Sequence, residues 1–266
     1  MKFLLLGNLE IKQANGDSAS VTRLRQLQVL ANLLAMPNTV ISTERLMRGL
    51  WEDRAPASAR GNLKSYVCDL RKVLVRLDVP IETMNGGYRI VLDPADVDVT
   101  LFDQELTLAN RALATGNHLP AMEHLRTALG YWRGPALDGL ADSSHLLGAV
   151  AAKLNDKRLT AVQQFAGTCL RIGMQSMVLP YLRDAIAEDP LREKLTGYLM
   201  LALYREGRRA EALASYQTLR TALVSDVGVE PCREIEILHQ QILTDDPLLV
   251  RREMLDSLDS SVVAAA

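Results

Sequence analysis

The chain has 266 residues and a formal net charge of −2, with 48% hydrophobic and 5% aromatic residues. That length suits one large domain or two ordinary ones, and a Leu/Ala core with few aromatics points to mostly helix. Three cysteines, odd in number and far apart, argue against a disulfide scaffold, and no apolar run approaches the ~18 residues of a membrane span.

The overall charge says nothing about nucleic acid, but its distribution does. Residues 1–95 hold 13 Lys+Arg against 9 Asp+Glu, whereas residues 96–266 hold 17 against 23. Such asymmetry suggests different partners for the two halves. The apolar stretch Phe3–Leu6 is too short for a signal peptide, so a cytoplasmic location is expected.

In chain order, Phe3 to Ile11 reads as a strand, or two short ones broken near Gly7-Asn8. Asn15-Gly16-Asp17 is a turn signal. Leu24, Leu27, Leu30, Ala31 and Leu34 follow helical spacing, so residues 24–35 form the first helix. Met36-Pro37-Asn38 ends it, and Val40-Ile41 is a brief extended piece. Ser42 or Thr43 can cap a second helix whose Leu46, Met47, Leu50 and Trp51 share one face.

Residues 58–77 form the stretch around which the first half is organised, with Ser58 as a candidate cap. At about 100° per residue, Leu63, Tyr66, Val67, Leu70, Val73, Leu74 and Leu77 fall on one arc, which predicts the buried face. The opposite arc carries Arg60, Lys64, Arg71, Lys72 and Arg76, with Ser65 and Cys68 between them. A helix that is apolar on one side and basic on the other can sit on a core and reach into something anionic. A solvated basic face on an ordinary surface helix remains the bland alternative.

The following segment runs from Ile81 to Leu92, with Asn85-Gly86 at its centre. That dipeptide predicts a tight hairpin with a type I′ turn, in which both central residues take positive φ. Helix, helix, basic helix and hairpin is the order of a winged helix-turn-helix, whose third helix enters the major groove while the hairpin reaches the phosphates. Arg89 is placed to touch phosphate, although as a single residue it reads equally well as an ordinary strand residue.

Asp93 to Val99 is an acidic connector that marks a boundary, and from Leu101 onward the chain reads helical. Gly116, Ala121, Leu125 and Ala128 share their spacing with Gly173, Val178, Leu182 and Ala185, and again with Gly207, Ala212, Tyr216 and Leu219. Gly173 and Gly207 stand one tetratricopeptide period apart, and Pro190 falls where such a repeat closes its second helix. A plain helical bundle is the competing reading. The expected fold is mainly α with a small β component. It places a winged helix-turn-helix over residues 1–93, an all-α tetratricopeptide-like domain over 99–250 and a frayed tail over 251–266.

These blocks carry a family resemblance. Ala57-Ser58-Ala59-Arg60, Tyr66-Val67 with Leu70-Arg71-Lys72, and Gly86-Gly87-Tyr88-Arg89 resemble the OmpR-type winged helix in the version found in the Streptomyces antibiotic regulatory proteins. Tyr131-Trp132-Arg133-Gly134-Pro135, Pro190-Leu191-Arg192-Glu193, Gly207-Arg208 and Gly228-Val229-Glu230-Pro231 resemble the bacterial transcriptional activation domain that follows it in that family. The resemblance implies DNA binding by the 58–77 helix and the wing, with Arg60, Lys64, Tyr66 and Arg71 near the DNA. With Ser65 and Lys72 from the basic arc and Arg89 from the hairpin, these are the expected DNA contacts, and Asn85, Gly86 and Gly87 make the wing turn. It also implies pairs of protomers on direct repeats of promoter DNA near the −35 element, recruitment of RNA polymerase holoenzyme and control of an antibiotic gene cluster. Asp69 departs from the family, which carries a basic or amide residue there, and is expected to face away or to brace a nearby Arg.

No catalytic constellation, phosphate-binding loop or metal-like histidine pairing is visible, so neither an enzyme nor a bound cofactor or metal is expected. No receiver domain precedes the winged helix, so control by aspartyl phosphorylation is not expected. Two other readings stand beside the activator: an interaction adaptor with a non-functional winged helix, for which Asp69 is the only support, and a repressor.

Overall fold

A computed structural model describes residues 2–13, 21–52 and 54–250, the last by its backbone alone. The Asn15-Gly16-Asp17 turn and the 251–266 tail lie outside the described residues. Packing divides the chain into two units. One takes the residues up to Leu106 together with Thr127–Arg158, and the other takes Thr107–Arg126 together with the residues from Leu159 onward.

The first unit opens with two short antiparallel strands, β1 (Phe3–Leu4) and β2 (Glu10–Ile11), separated at Gly7, whose φ is +135°. Three helices follow: α1 (Leu24–Ala35), α2 (Thr43–Trp51) and α3 (Ala59–Leu74), the last running into a 3-10 turn at Val75–Leu77. The Ser42 hydroxyl caps α2 by accepting from the Arg45 amide at 3.1 Å. A second sheet holds β3 (Ile41–Ser42), β4 (Ile81–Met84) and β5 (Gly87–Ile90) in the order β3-β5-β4, all antiparallel. This is the winged helix-turn-helix.

Leu63, Leu70 and Leu74 of α3 are fully buried and Val67 is nearly so. Burial of each such side chain is worth about 1.5–3 kcal/mol, which seats the helix on α1 and α2. Tyr66 and Val73, expected on the buried face, are only half-buried. They lie at the edges of the apolar arc, where the packing of α1 and α2 no longer covers the helix. Ser58 also departs from expectation. Its φ/ψ of −82°/0° are not those of an extended cap, and its hydroxyl accepts from the Asn62 side chain at 3.2 Å instead of from a backbone amide.

The first unit takes in residues 127–158 because the N-terminal segment needs them. The Leu5 carbonyl accepts from the Leu137 amide, the Leu6 carbonyl from the Arg133 amide and the Gly7 carbonyl from the Asp138 amide, at 2.9, 2.9 and 3.2 Å. The Leu5 and Leu6 amides donate to the carboxylate of Asp98, the first residue of α4 (Asp98–Ala114), at 2.8–2.9 Å. Asp98 is completely buried. Burial pushes its carboxyl above the usual range, against the pull of the Leu6, Leu5 and Val99 amides and of Arg133. The Tyr131–Pro135 motif thus has a structural purpose: Arg133 also donates to Glu10 and to the Asn8 carbonyl, and its Cβ packs against Gly7.

The remaining helices are α5 (His118–Leu129), α6 (His145–Ile172), α7 (Gln175–Glu188), α8 (Glu193–Arg205), α9 (Arg209–Asp226) and α10 (Arg233–Thr244). The repeat read from the sequence has a common physical form. Gly116, Gly173 and Gly207 take φ of +74°, +78° and +74°. The residue after each, Asn117, Met174 or Arg208, donates its amide to the carbonyl five residues back, at 2.9, 2.8 and 2.8 Å. That is the Schellman ending, which needs a left-handed residue and so favours glycine. The matched positions Ala121, Leu125, Ala128, Val178, Leu182, Ala185 and Ala212 are fully buried, and Tyr216 and Leu219 nearly so.

Candidate nucleic-acid interface

The interface is built on α3 and the β4–β5 hairpin. Arg60, Lys64, Ser65, Cys68, Arg71 and Lys72 are all exposed on the face of α3 opposite its buried leucines. The structure therefore brings the basic side chains to one surface. It also gives most of them partners that helix periodicity does not reveal.

Arg71 crosses from α3 to the wing. Its Nε donates to the Ile81 carbonyl and its Nη2 to the Thr83 hydroxyl, both at 2.8 Å. Arg89 is held across the hairpin by Glu82, directly opposite it in register, with Nε donating at 3.0 Å. Arg60 pairs with Glu44 of α2 at 2.8 Å. Tyr66 stacks on Trp51, with ring centroids 6.4 Å apart. Lys64 and Ser65 have no side-chain partner among the described residues.

Asp69 is half-buried and turned inward along the helix. It accepts from the Lys72 Nζ at 2.9 Å and from the Gln26 side chain at 3.0 Å, and Arg23 lies 3.8 Å away. The Lys72 hydrogen bond holds the Asp69 carboxyl below its ordinary range, and the same contact raises Lys72. Asp69 does brace a cation, but the cation is chiefly Lys72 and not the expected arginine, and Gln26 of α1 anchors it. Gln26, Arg23 and Glu44 brace the residues of this face and were not singled out from the sequence. Each acts through a pairing between helices, for which spacing along one helix gives no signal.

The wing turn differs from the type I′ expectation. Gly86 takes φ +85°, but Asn85 does not adopt a left-handed conformation. The third strand accounts for this. The Gly86 carbonyl accepts from the Thr43 amide at 2.8 Å, and Gly87 pairs with Ser42. A Cβ on Gly87 would overlap the Ile41 carbonyl oxygen, so β3 approaches the turn as closely as glycine permits. The turn is therefore shaped by three strands, not by the hairpin alone.

Among the described residues no group of three His, Cys, Asp or Glu could hold a metal ion, and no helix is long and apolar enough to cross a membrane. Cys169 is fully buried, and burial pushes its thiol up to about 12, as expected of a core cysteine.

A winged helix with a basic recognition-type helix, followed by helices closed by repeated Schellman glycines, defines a class of two-part bacterial regulators. Residues 97–243 match the bacterial transcriptional activator domain. The chain is 32% identical over 256 residues to the regulatory protein DnrI of Streptomyces peucetius, covering 93% of each chain. It is 30% identical to the transcriptional regulator RedD of Streptomyces coelicolor, covering 98% of this chain and 77% of that one. Mycobacterium tuberculosis EmbR, solved in complex with a low affinity phosphopeptide, superposes with a TM-score of 0.84 at 30% identity, over 99% of this chain and 70% of that one. The chain spans 64% of the whole EmbR sequence. It belongs to the family of Streptomyces antibiotic regulatory proteins, and its relatives are transcriptional regulators.

Proposed function

We infer that the chain is a sequence-specific DNA-binding transcriptional activator, with α3 in the major groove and the β4–β5 wing beside the backbone. One observation carries this reading: Lys64 and Ser65 stand exposed at the centre of the basic face, without a side-chain partner among the described residues, while the cations around them are already oriented by partners. In such an interface Lys64, Arg60 and Lys72 supply phosphate contacts, Ser65 and Tyr66 approach base edges, and Arg71 acts by holding the wing at a fixed position against α3. Arg89, with its carboxylate partner, offers a weaker phosphate contact than a free arginine. The inward pairing of Asp69 removes the repulsion that favoured a non-binding adaptor.

The family membership supports the finer parts of the reading. Two protomers occupy tandem direct repeats near a −35 element, side by side and head to tail, without a two-fold axis. The helical-repeat region contacts RNA polymerase holoenzyme, and the regulated genes form a secondary-metabolite cluster. The protein acts in the cytoplasm on nucleoid DNA. Selection of bound duplexes from a random library by the full chain, with Lys64→Glu as control, tests the core of this. Enrichment of a spaced direct repeat that the variant loses is the expected result. Recovery of unrelated sequences, or equal enrichment by the variant, would overturn it.

A further inference from the structure

Within the first unit lies a cavity of about 370 Å³, at the small end of the roughly 300–1,000 Å³ usual for small-molecule sites. Its floor is apolar: Leu5, Leu34, Ile41 and Leu154 are buried, and Leu146 and Val150 are half-exposed into it. Apart from Asn32, whose amide donates to the Gln28 carbonyl, its polar side chains are charged, and they are of one sign except for a single ion pair. Lys157 donates to both oxygens of Asp103 at 2.8 and 2.9 Å, so that carboxylate is taken up. Arg45 and Lys153 also line the cavity, both exposed, and neither side chain has a partner among the described residues. An apolar chamber with two unpaired cations at its wall is complementary to an apolar molecule with one negative group.

We propose that this cavity is a binding site for a small organic anion with an apolar body, such as a medium-chain carboxylate. The apolar body displaces water from Leu34, Ile41, Val150 and Leu154, and the negative group meets Arg45 and Lys153. The site adjoins the DNA-reading element through one strand. Ile41 lies in β3, which pairs with β5 at Tyr88, and the next residues fix the wing turn through the Thr43–Gly86 hydrogen bond. A ligand that favours one position of β3 therefore changes the wing, and by linkage DNA changes the affinity for the ligand by the same factor.

The test uses the full chain without DNA, so its outcome is independent of the DNA-binding reading. Anilinonaphthalene sulfonate, an apolar body with one negative group, is titrated by fluorescence and then competed with decanoate or with decanol. The expected result is one saturable site from which decanoate displaces the dye at concentrations about tenfold lower than decanol does. Lys153→Glu weakens dye binding by about tenfold. Val150→Trp, which fills the chamber, abolishes it, and the remote Arg111→Glu leaves it unchanged. Should Val150→Trp fail to melt cooperatively, Lys153→Glu carries the test, since it alters only an exposed helix position. Equal displacement by decanol, or binding that survives Lys153→Glu, would overturn the proposal.

Discussion

At the residue scale, the basic face of α3 holds cations of different kinds. Lys64 is exposed and has no side-chain partner among the described residues, so Lys64→Ala should remove one phosphate contact and little else. Its DNA affinity should fall uniformly across sequences, and the slope of log affinity against log salt should shrink by roughly 0.9, read by fluorescence anisotropy at several salt concentrations. Arg71 binds a carbonyl and a hydroxyl of the wing with a fixed fork that lysine lacks. Arg71→Ala should therefore cost about 1–2 kcal/mol of folding stability in urea denaturation, besides weakening DNA binding. A loss of affinity with no loss of stability would mean that Arg71 reads DNA directly. His239, stacked on Tyr216 at 3.8 Å, gives a pH signature. Burial lowers its pKa, so its neutral form is favoured by folding. The stabilisation is complete above the ordinary histidine range and is lost as pH falls through the lowered value. Urea midpoints measured on either side of about pH 6.5 should diverge more for the wild type than for His239→Phe.

At the element scale, the two wing glycines separate conformational strain from steric exclusion. Gly86 has positive φ and open space around it, so Gly86→Ala should cost only about 1 kcal/mol. Gly87 takes an ordinary φ but has no room for a Cβ beside the Ile41 carbonyl. Gly87→Ala should part β3 from β5, with a loss of more than about 2 kcal/mol and of DNA binding, visible in the same urea and anisotropy measurements. Only part of this could be read from the chain. The bounds of α1, the Ser42 cap, the apolar stripe of α3 and the Gly116, Gly173 and Gly207 helix endings were legible because each depends on neighbours within one or two turns. The Asn85 conformation, the Ser58 geometry and the partners of Arg60, Arg71 and Asp69 were not. The Asn85 turn and the partners of Arg60, Arg71 and Asp69 are set by β3, α2, β4 and α1 respectively, which reach the site through tertiary packing, and Ser58 is drawn off by the local Asn62 side chain.

At the scale of the whole molecule, the charge split of the sequence corresponds to a basic surface on the winged helix, but the connector at residues 93–99 does not divide the packing. Asp98, inside that connector, closes two buried amides of the N-terminal segment. Asp98→Ala should cost about 2–4 kcal/mol, because each orphaned buried donor carries its own desolvation penalty. A urea midpoint within error of wild type would show that water replaces the carboxylate. The backbone pairing of Leu5, Leu6 and Gly7 with residues 133–138 has a consequence for biosynthesis. Leu5, Leu6 and Gly7 must wait for backbone partners about 130 residues later in the chain, roughly 7–25 s at ordinary elongation rates. Until then the carbonyls of Leu5 and Leu6 lack the Leu137 and Arg133 amides that they accept from in the folded chain. A nascent chain, or a fragment cut after the wing, therefore holds α3 before the backbone of Leu5–Gly7 is paired, and that interval is when chaperones would find it.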